Sequence, residues 1–282
     1  MKDRIDFTVE NHIAHIHFIR GDKMNALDGK MMDAMIEAGE KLKTDPDIRV
    51  AVLSGEGRAF CAGLDMANFA AMAQGDKGAD DTITKKPSQK LVDRTHGLAN
   101  RVQMVAYTWR EAQVPVIAAA QGFALGGGFQ IYMGADIRYA APNTKFAIME
   151  ARWGLVPDMG TTHVMTRLAG EDIVKELAMT ARIFDAEEAK EYGFITRIYD
   201  DPLAAAMQTA QEIVARNPEA VRGTKRLFNE PADRFIADTL LLESEIQESI
   251  IGKPNQREAV KAELEKRAPH FEDFANEKQA AE

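Results

Sequence analysis

Apolar residues recur with a period of two near the start of the chain: Ile5, Phe7 and Val9, then Ile13, Ile16 and Phe18. That period marks half-buried strands, and the polar Glu10-Asn11 between them reads as a hairpin turn. Asp28 is placed to cap a helix running to about Leu42, which Asp45-Pro46-Asp47 ends. Val50-Ala51-Val52-Leu53 is short and wholly apolar, the pattern of a buried strand, and stops at Ser54-Gly55-Glu56-Gly57. A loop follows over 58–65. Residues 74–90 are polar and read as a mobile surface loop, with a helix expected from about Gln89 to Glu111. Pro115 opens the apolar strand Val116–Ala120, and Gly126-Gly127-Gly128 begins a helix toward Ala135. Asp136–Ala140 and Lys145–Ile148 read as short strands. From Thr161 the pattern turns helical, apart from a strand at Ile195–Tyr199. Helices are expected at about 171–180, 185–192, 201–216, 218–229, 233–251 and 255–266.

This alternation predicts an α/β fold. Residues 1–200 form a core of repeated ββα units, and residues 201–282 form a helical region. The apolar positions Phe235, Leu240, Leu241, Leu242, Ile246, Ile250 and Ile251 need a face to bury against, either the core or a neighbouring subunit.

Composition narrows the function. The 282 residues carry a net charge of −9, which argues against a nucleic-acid partner. The uncharged stretch Ala112–Ala135 is long enough for a membrane span. Its glycines and Pro115 fit a buried strand, a turn and a buried helix better, so no membrane association is expected. A single cysteine, Cys61, excludes an intramolecular disulfide and suits a cytoplasmic protein. No cysteine-histidine signature surrounds it, and it reads as a small buried thiol. His15 and His17 share a strand face, but no metal-binding motif accompanies them, and no metal is expected.

Two glycine-rich segments could carry chemistry. Gly126-Gly127-Gly128 follows a strand and opens a helix, where unpaired N–H groups can hold an oxygen that gains charge. The same run also fits a tight helix–sheet turn, and it matches no nucleotide-phosphate motif. Cys61-Ala62-Gly63-Leu64-Asp65, after another strand, could supply a second N–H or be an ordinary turn. Asp136, Glu150 and Asp158 lie at strand ends or in a loop and are candidate bases, or simply caps and surface acids.

Several segments together resemble the crotonase, or enoyl-CoA hydratase/isomerase, superfamily. They are Met24-Asn25-Ala26-Leu27, Gly57–Asp65, Pro115–Gly128, Ala135-Asp136-Ile137-Arg138, Gly154-Leu155-Val156-Pro157, Ala186-Glu187-Glu188-Ala189 and Glu265–Phe271. They fall in the family's order across nearly the whole chain. The resemblance implies a crotonase-like spiral of ββα units with an acyl-CoA site, and a C-terminal helical region that trimerises. It also implies trimers, or hexamers of paired trimers. Coenzyme A would enter as part of the substrate, with no separate cofactor.

The family's two oxyanion donors fall on the N–H groups of Leu64 and Gly127, with Ala62 and Gly126 beside them in the ligand-binding set. Family hydratases commonly use two glutamates, at positions held here by Gln130 and Glu150. An amide cannot act as a base near neutral pH, so the sequence departs from the hydratase pattern at Gln130. Family isomerases that shift one double bond often use a single glutamate at the place of Glu150. The segment Gly154–Gly160 is also similar to the loop of dienoyl-CoA isomerases, where an aspartate at the place of Asp158 enters the pocket. Double-bond isomerisation with Glu150 as acid/base is therefore the first expectation. Hydration by Glu150 with Asp158 or Gln130 is the second. An acyl-CoA-binding protein with little catalysis is the third. Arg58, Lys23 and Lys266 are candidates for the CoA phosphates, and acyl length would depend on residues 66–110 and the loop around Trp153.

Overall fold

The computed structural model describes residues 1–73, 91, 94–97, 99–229, 254–255, 258 and 265–273. The chain runs through Ile5–Glu10 (β1), Ile13–Phe18 (β2), Gly29–Thr44 (α1), Val50–Gly55 (β3), Met66–Ala73 (α2), Arg101–Glu111 (α3), Val116–Ala120 (β4), Phe123–Leu125 (β5) and Gly127–Met133 (α4). It continues through Ile137–Ala140 (β6), Lys145–Ala147 (β7), a 3-10 turn at Glu150–Trp153, Thr162–Leu168 (α5) and Glu171–Thr180 (α6). The remaining elements are Phe184–Asp185 (β8), Ala186–Glu191 (α7), Arg197–Ile198 (β9), Pro202–Val214 (α8) and Pro218–Asn229 (α9).

The hairpin forms in register, Ile5 opposite Phe18 and Glu10 opposite Ile13. Asn11 and His12 both have positive φ (50° and 66°), as the commonest two-residue hairpin turn requires. Asp28 caps α1 by accepting from the Met31 N–H at 2.8 Å. The large sheet has the order β1-β2-β3-β4-β6-β9, parallel from β2 onward; a smaller sheet has the order β5-β7-β8. The strand pairs β4/β5 and β6/β7 each put their first strand in the large sheet and their second in the small one. With α4 after β5, this is the expected ββα spiral.

The middle strands β3 and β4 of the large sheet are covered on both faces and are buried along their whole length, whereas β1 at the edge alternates. One face packs Ile16, Phe18, Leu53 and Phe60 against Met31 and Met35 of α1 and Trp109 of α3. The other packs Val50, Val52, Ile117 and Ala119 against Ala206 and Ala210 of α8. Each large side chain buried this way stabilises the fold by about 1.5–3 kcal/mol. Phe129 of α4 meets Phe146, Phe184 and Phe194 edge-on at 5.5–5.9 Å, tying the site-bearing helix to the small sheet.

Some elements differ from expectation. The helix expected from Gln89 starts at Arg101, because Asn100 and Gln103 form a reciprocal capping box there. Before it, His96 and Ala99 form an isolated bridge. The helix α2 and the strands β5 and β8 were not expected. The loop expected over 74–90 and the helix expected at 233–251 lie outside the described residues, as does most of the helix expected at 255–266. Among the described residues no helix is long and apolar enough to cross a membrane.

Candidate active site

The site forms where two chain segments clamp β5. Cys61 N–H donates to Phe123 O at 3.1 Å, and Leu125 N–H donates back to Cys61 O at 3.0 Å. On the other side β5 pairs with β7, and Gly126 N–H donates to Ala147 O at 2.9 Å. This sandwich brings Gly63 against Gly127. A Cβ on Gly63 would lie 2.6 Å from Leu125 O and 3.4 Å from Gly127 N. Gly63 has φ +84° and Gly126 has φ 52° with ψ −119°, both poorly tolerated by a side chain.

Among the described residues, the N–H groups of Leu64 and Gly127 have no hydrogen-bond acceptor, whereas Asp65 N–H donates to Leu27 O and Gly126 N–H to Ala147 O. Ala62 N–H donates to Met24 O at 2.9 Å, so Ala62 and Gly126 have spent their N–H groups on the fold. Two free donors thus stand side by side on rigid backbone, an arrangement able to hold an oxygen that becomes negative during reaction.

Glu150 lies beside them: a Cβ on Gly126 would be 3.8 Å from its Oε1. It opens the 3-10 turn after β7 and is only 9% exposed. Gln130, fully buried on α4, donates from Nε2 to Glu150 Oε1 at 2.6 Å. The Gln130 amide is oriented from its other end, since Oε1 accepts from Met159 N–H at 2.9 Å and Thr161 Oγ1 at 3.3 Å. The second carboxylate oxygen, Glu150 Oε2, is buried without a partner among the described residues. Such a group asks for a functional explanation. Burial pushes the Glu150 carboxyl above its usual range; the Gln130 hydrogen bond opposes this and the charge of Asp158 adds to it. Asp158, half-buried in the adjoining loop, is itself raised by burial. The structure therefore gathers Glu150, Gln130, Asp158, Gly126 and Gly127 in one place, with Leu64 across from Gly127.

Other candidates lie elsewhere. Asp136 Oδ2 accepts from Val116 N–H at 2.8 Å and pairs with Lys225 at 2.8 Å, at the opposite end of β4 from the glycines. It borders a cavity of about 570 Å³ that none of the site residues lines. Cys61 is buried, donates to Asn25 O at 3.1 Å, and its thiol is pushed up to about 12 by burial. His15 and His17 are half-buried and share Ser54 Oγ, each at 2.8 Å. Lys23, Arg58 and Lys266 are exposed.

Sequence reasoning missed the residues that hold the site in shape. Asn25 is fully buried and donates to Glu56 O and Ala59 O, stitching the Met24–Leu27 segment to the loop before Cys61. Arg20 pairs with Asp65 at 2.6 Å, next to Leu64. Phe69 of α2 stacks on Trp153 with ring centroids 3.9 Å apart, joining the element after Leu64 to the turn that carries Glu150.

This spiral, with its paired backbone donors and buried carboxylate, is the crotonase fold. The chain belongs to the enoyl-CoA hydratase/isomerase family, whose model matches residues 8–276. It is 33% identical over 250 residues to the enoyl-CoA hydratase EchA19 of Mycobacterium tuberculosis, covering 88% of each chain. It is 32% identical over 237 residues to the human mitochondrial Delta(3,5)-Delta(2,4)-dienoyl-CoA isomerase, covering 83% of this chain and 70% of that one. A solved enoyl-CoA hydratase from Bacillus anthracis superposes with a TM-score of 0.81 at 25% identity, covering 95% of this chain and 98% of that one. The chain is an enzyme of a family that acts on acyl-CoA thioesters.

Proposed function

We propose that the enzyme moves the double bond of an enoyl-CoA, with Glu150 carrying the proton. The thioester oxygen of a 3-enoyl-CoA accepts from the Leu64 and Gly127 N–H groups. Glu150 Oε2 takes a proton from C2, and the electron pair passes into a dienolate whose charge rests on that oxygen. The dienolate then takes the proton from Glu150 at C4, giving the 2-enoyl-CoA and restoring the carboxylate. One base suffices, and no water is consumed. Coenzyme A enters only as part of the substrate, and no metal or further cofactor is needed.

The observation that carries this reading is the state of Gln130. It stands where a second acid would be needed, and both ends of its amide are committed, one to Glu150 and the other to Met159 and Thr161. One carboxylate with one free oxygen matches a single-base shuttle. Hydration of a 2-enoyl-CoA is the second reading. It is favoured by Asp158, an additional carboxyl close enough to raise that of Glu150.

The test is a panel of purified-enzyme assays in which each 2-enoyl-CoA is paired with its 3-enoyl isomer and the products are weighed by mass spectrometry. Isomerisation without mass change supports the shuttle. Gain of one water replaces it with hydration. No reaction across the panel would leave acyl-CoA binding as the role of the site. In the same reading the enzyme is a cytoplasmic homotrimer or hexamer, with residues 201–282 as the trimerisation region; a monomer mass in solution would contradict that assembly.

A further inference from the structure

We propose that Arg20 is a positioning residue for the oxyanion hole, setting the Leu64 N–H through a guanidinium bridge between two helix caps. This inference rests on the oxyanion reading given above.

Leu64 is held by a short parallel bridge to Leu27. Leu27 N–H donates to Gly63 O at 2.8 Å, and Asp65 N–H donates to Leu27 O at 3.0 Å. Both bonds use the residues flanking Leu64. In a parallel pair this turns the N–H of the middle residue away from the partner strand, toward the site. The nearest further bonds between these two segments, Ala62 N–H to Met24 O at 2.9 Å and Cys61 Sγ to Asn25 O at 3.1 Å, lie on the N-terminal side of Gly63.

Arg20 adds a restraint on the C-terminal side, at Asp65. Its Nη1 pairs with Asp65 Oδ2 at 2.6 Å and donates to Ala26 O at 2.8 Å, and its Nη2 lies 3.6 Å from Asp28 Oδ2. Ala26 and Asp28 flank Leu27, and Asp65 flanks Leu64. The guanidinium therefore grips both sides of the bridge. Each carboxylate is also a helix cap. Asp28 Oδ1 accepts from Met31 N–H at the start of α1, and Asp65 Oδ1 accepts from Ala67 N–H at 3.0 Å at the start of α2. Arg4 holds Asp28 from behind, with Nη2 to Oδ2 at 2.7 Å. Burial alone would push the Asp28 carboxyl up, but Arg4, the Met31 N–H and Arg20 together hold it below its usual range. The backbone of Arg20 is pinned as well, its N–H donating to Asn25 Oδ1 at 2.9 Å.

A planar guanidinium can engage two carboxylates and a carbonyl at once, whereas an ammonium on a flexible stem cannot hold the same geometry. Donor placement matters at a fraction of an ångström, because the hydrogen bond must be shortest to the charged oxygen of the transition state.

The test uses the full-length enzyme and two probes: turnover of 3-hexenoyl-CoA, and the absorbance of a bound conjugated dienoyl-CoA. Polarisation of the thioester carbonyl by the two N–H groups moves that absorbance to longer wavelength. Arg20→Lys keeps the charge and is expected to lower kcat about 10- to 100-fold with KM within about threefold. It should also diminish the absorbance shift. Asp65→Asn should act alike, and the double variant should add little to either single one, since both break one linkage. Unchanged kcat and an undiminished shift in Arg20→Lys and Asp65→Asn would overturn the inference alone. So would variants that lose melting temperature while keeping the full shift, which would mark a purely structural role. No shift in the wild-type complex would overturn the oxyanion assignment itself, and this inference with it.

Discussion

Gln130 and Glu150 form a one-sided clamp. The amide donates to one carboxylate oxygen at 2.6 Å and leaves the other, Oε2, buried and without a partner among the described residues. A carboxylate fixed through one oxygen has one direction in which to take a proton. Gln130→Ala would strand Glu150 Oε1 and Met159 N–H without partners. We expect a stability loss of about 1–3 kcal/mol in denaturant melts. We also expect a lower kcat with little change in KM, because binding does not depend on where Oε2 points.

The pH dependence follows from burial. Glu150 must be ionised to take a proton, and burial raises its pKa, with Asp158 adding to the rise. The rising limb of kcat/KM should therefore lie above the ordinary glutamate value of about 4.3. Removing the neighbouring negative charge in Asp158→Asn makes ionisation of Glu150 easier, so the limb should move to lower pH. A limb that stays in place would separate Asp158 from the base. Isomerase turnover lost altogether in Asp158→Asn would make Asp158 a second proton carrier.

The same burial has a cost in stability. A carboxyl whose folded pKa exceeds its unfolded value adds stability that is complete below the unfolded value, about 4.3, and is lost as pH rises through the folded one. Above that folded pKa the wild type holds an ionised, buried carboxylate. Glu150→Gln removes that charge and can still accept from Gln130. Its melting temperature should exceed the wild-type value at pH above that folded pKa, on the order of 2–4 °C for each kcal/mol. The two should converge below about pH 4.

Gly63 has no room for a side chain. Alanine there would keep a left-handed backbone at a cost of about 1–2 kcal/mol. Its Cβ would also sit 2.6 Å from Leu125 O and crowd the Gly127 N–H. Gly63→Ala should therefore lose turnover by a larger factor than its melting shift accounts for, measured as kcat beside a thermal melt.

Much of this was legible in the sequence, for physical reasons that differ by element. The hairpin and α1 were readable because Ile5–Phe18 carries a period of two and Asp28 is a local cap, and both signals act within a few residues. The strand β5 was not, because three residues between Gly122 and Gly126 show no period and are a strand only through Cys61 and β7. The start of α3 was missed because the apolar pattern runs on, whereas the reciprocal bonds of Asn100 and Gln103 decide where the helix begins. Glu150, Gln130 and Asp158 could be picked by type and family pattern. Their roles depend on contacts 20 to 31 residues apart in the chain, such as Gln130 to Glu150 and Gln130 to Thr161. Arg20 left no local signal, since its partner Asp65 lies far along the chain and each alone reads as a surface charge.

The most direct measurement is turnover by Glu150→Gln beside its affinity for acyl-CoA. The variant keeps the shape, the Gln130 hydrogen bond and both backbone donors, and loses only the base. We expect kcat on 3-enoyl-CoA substrates to fall by about 10²- to 10⁴-fold or more, with acyl-CoA affinity unchanged within a few-fold. Wild-type turnover in that variant would contradict the proton shuttle and remove Glu150 from the chemistry.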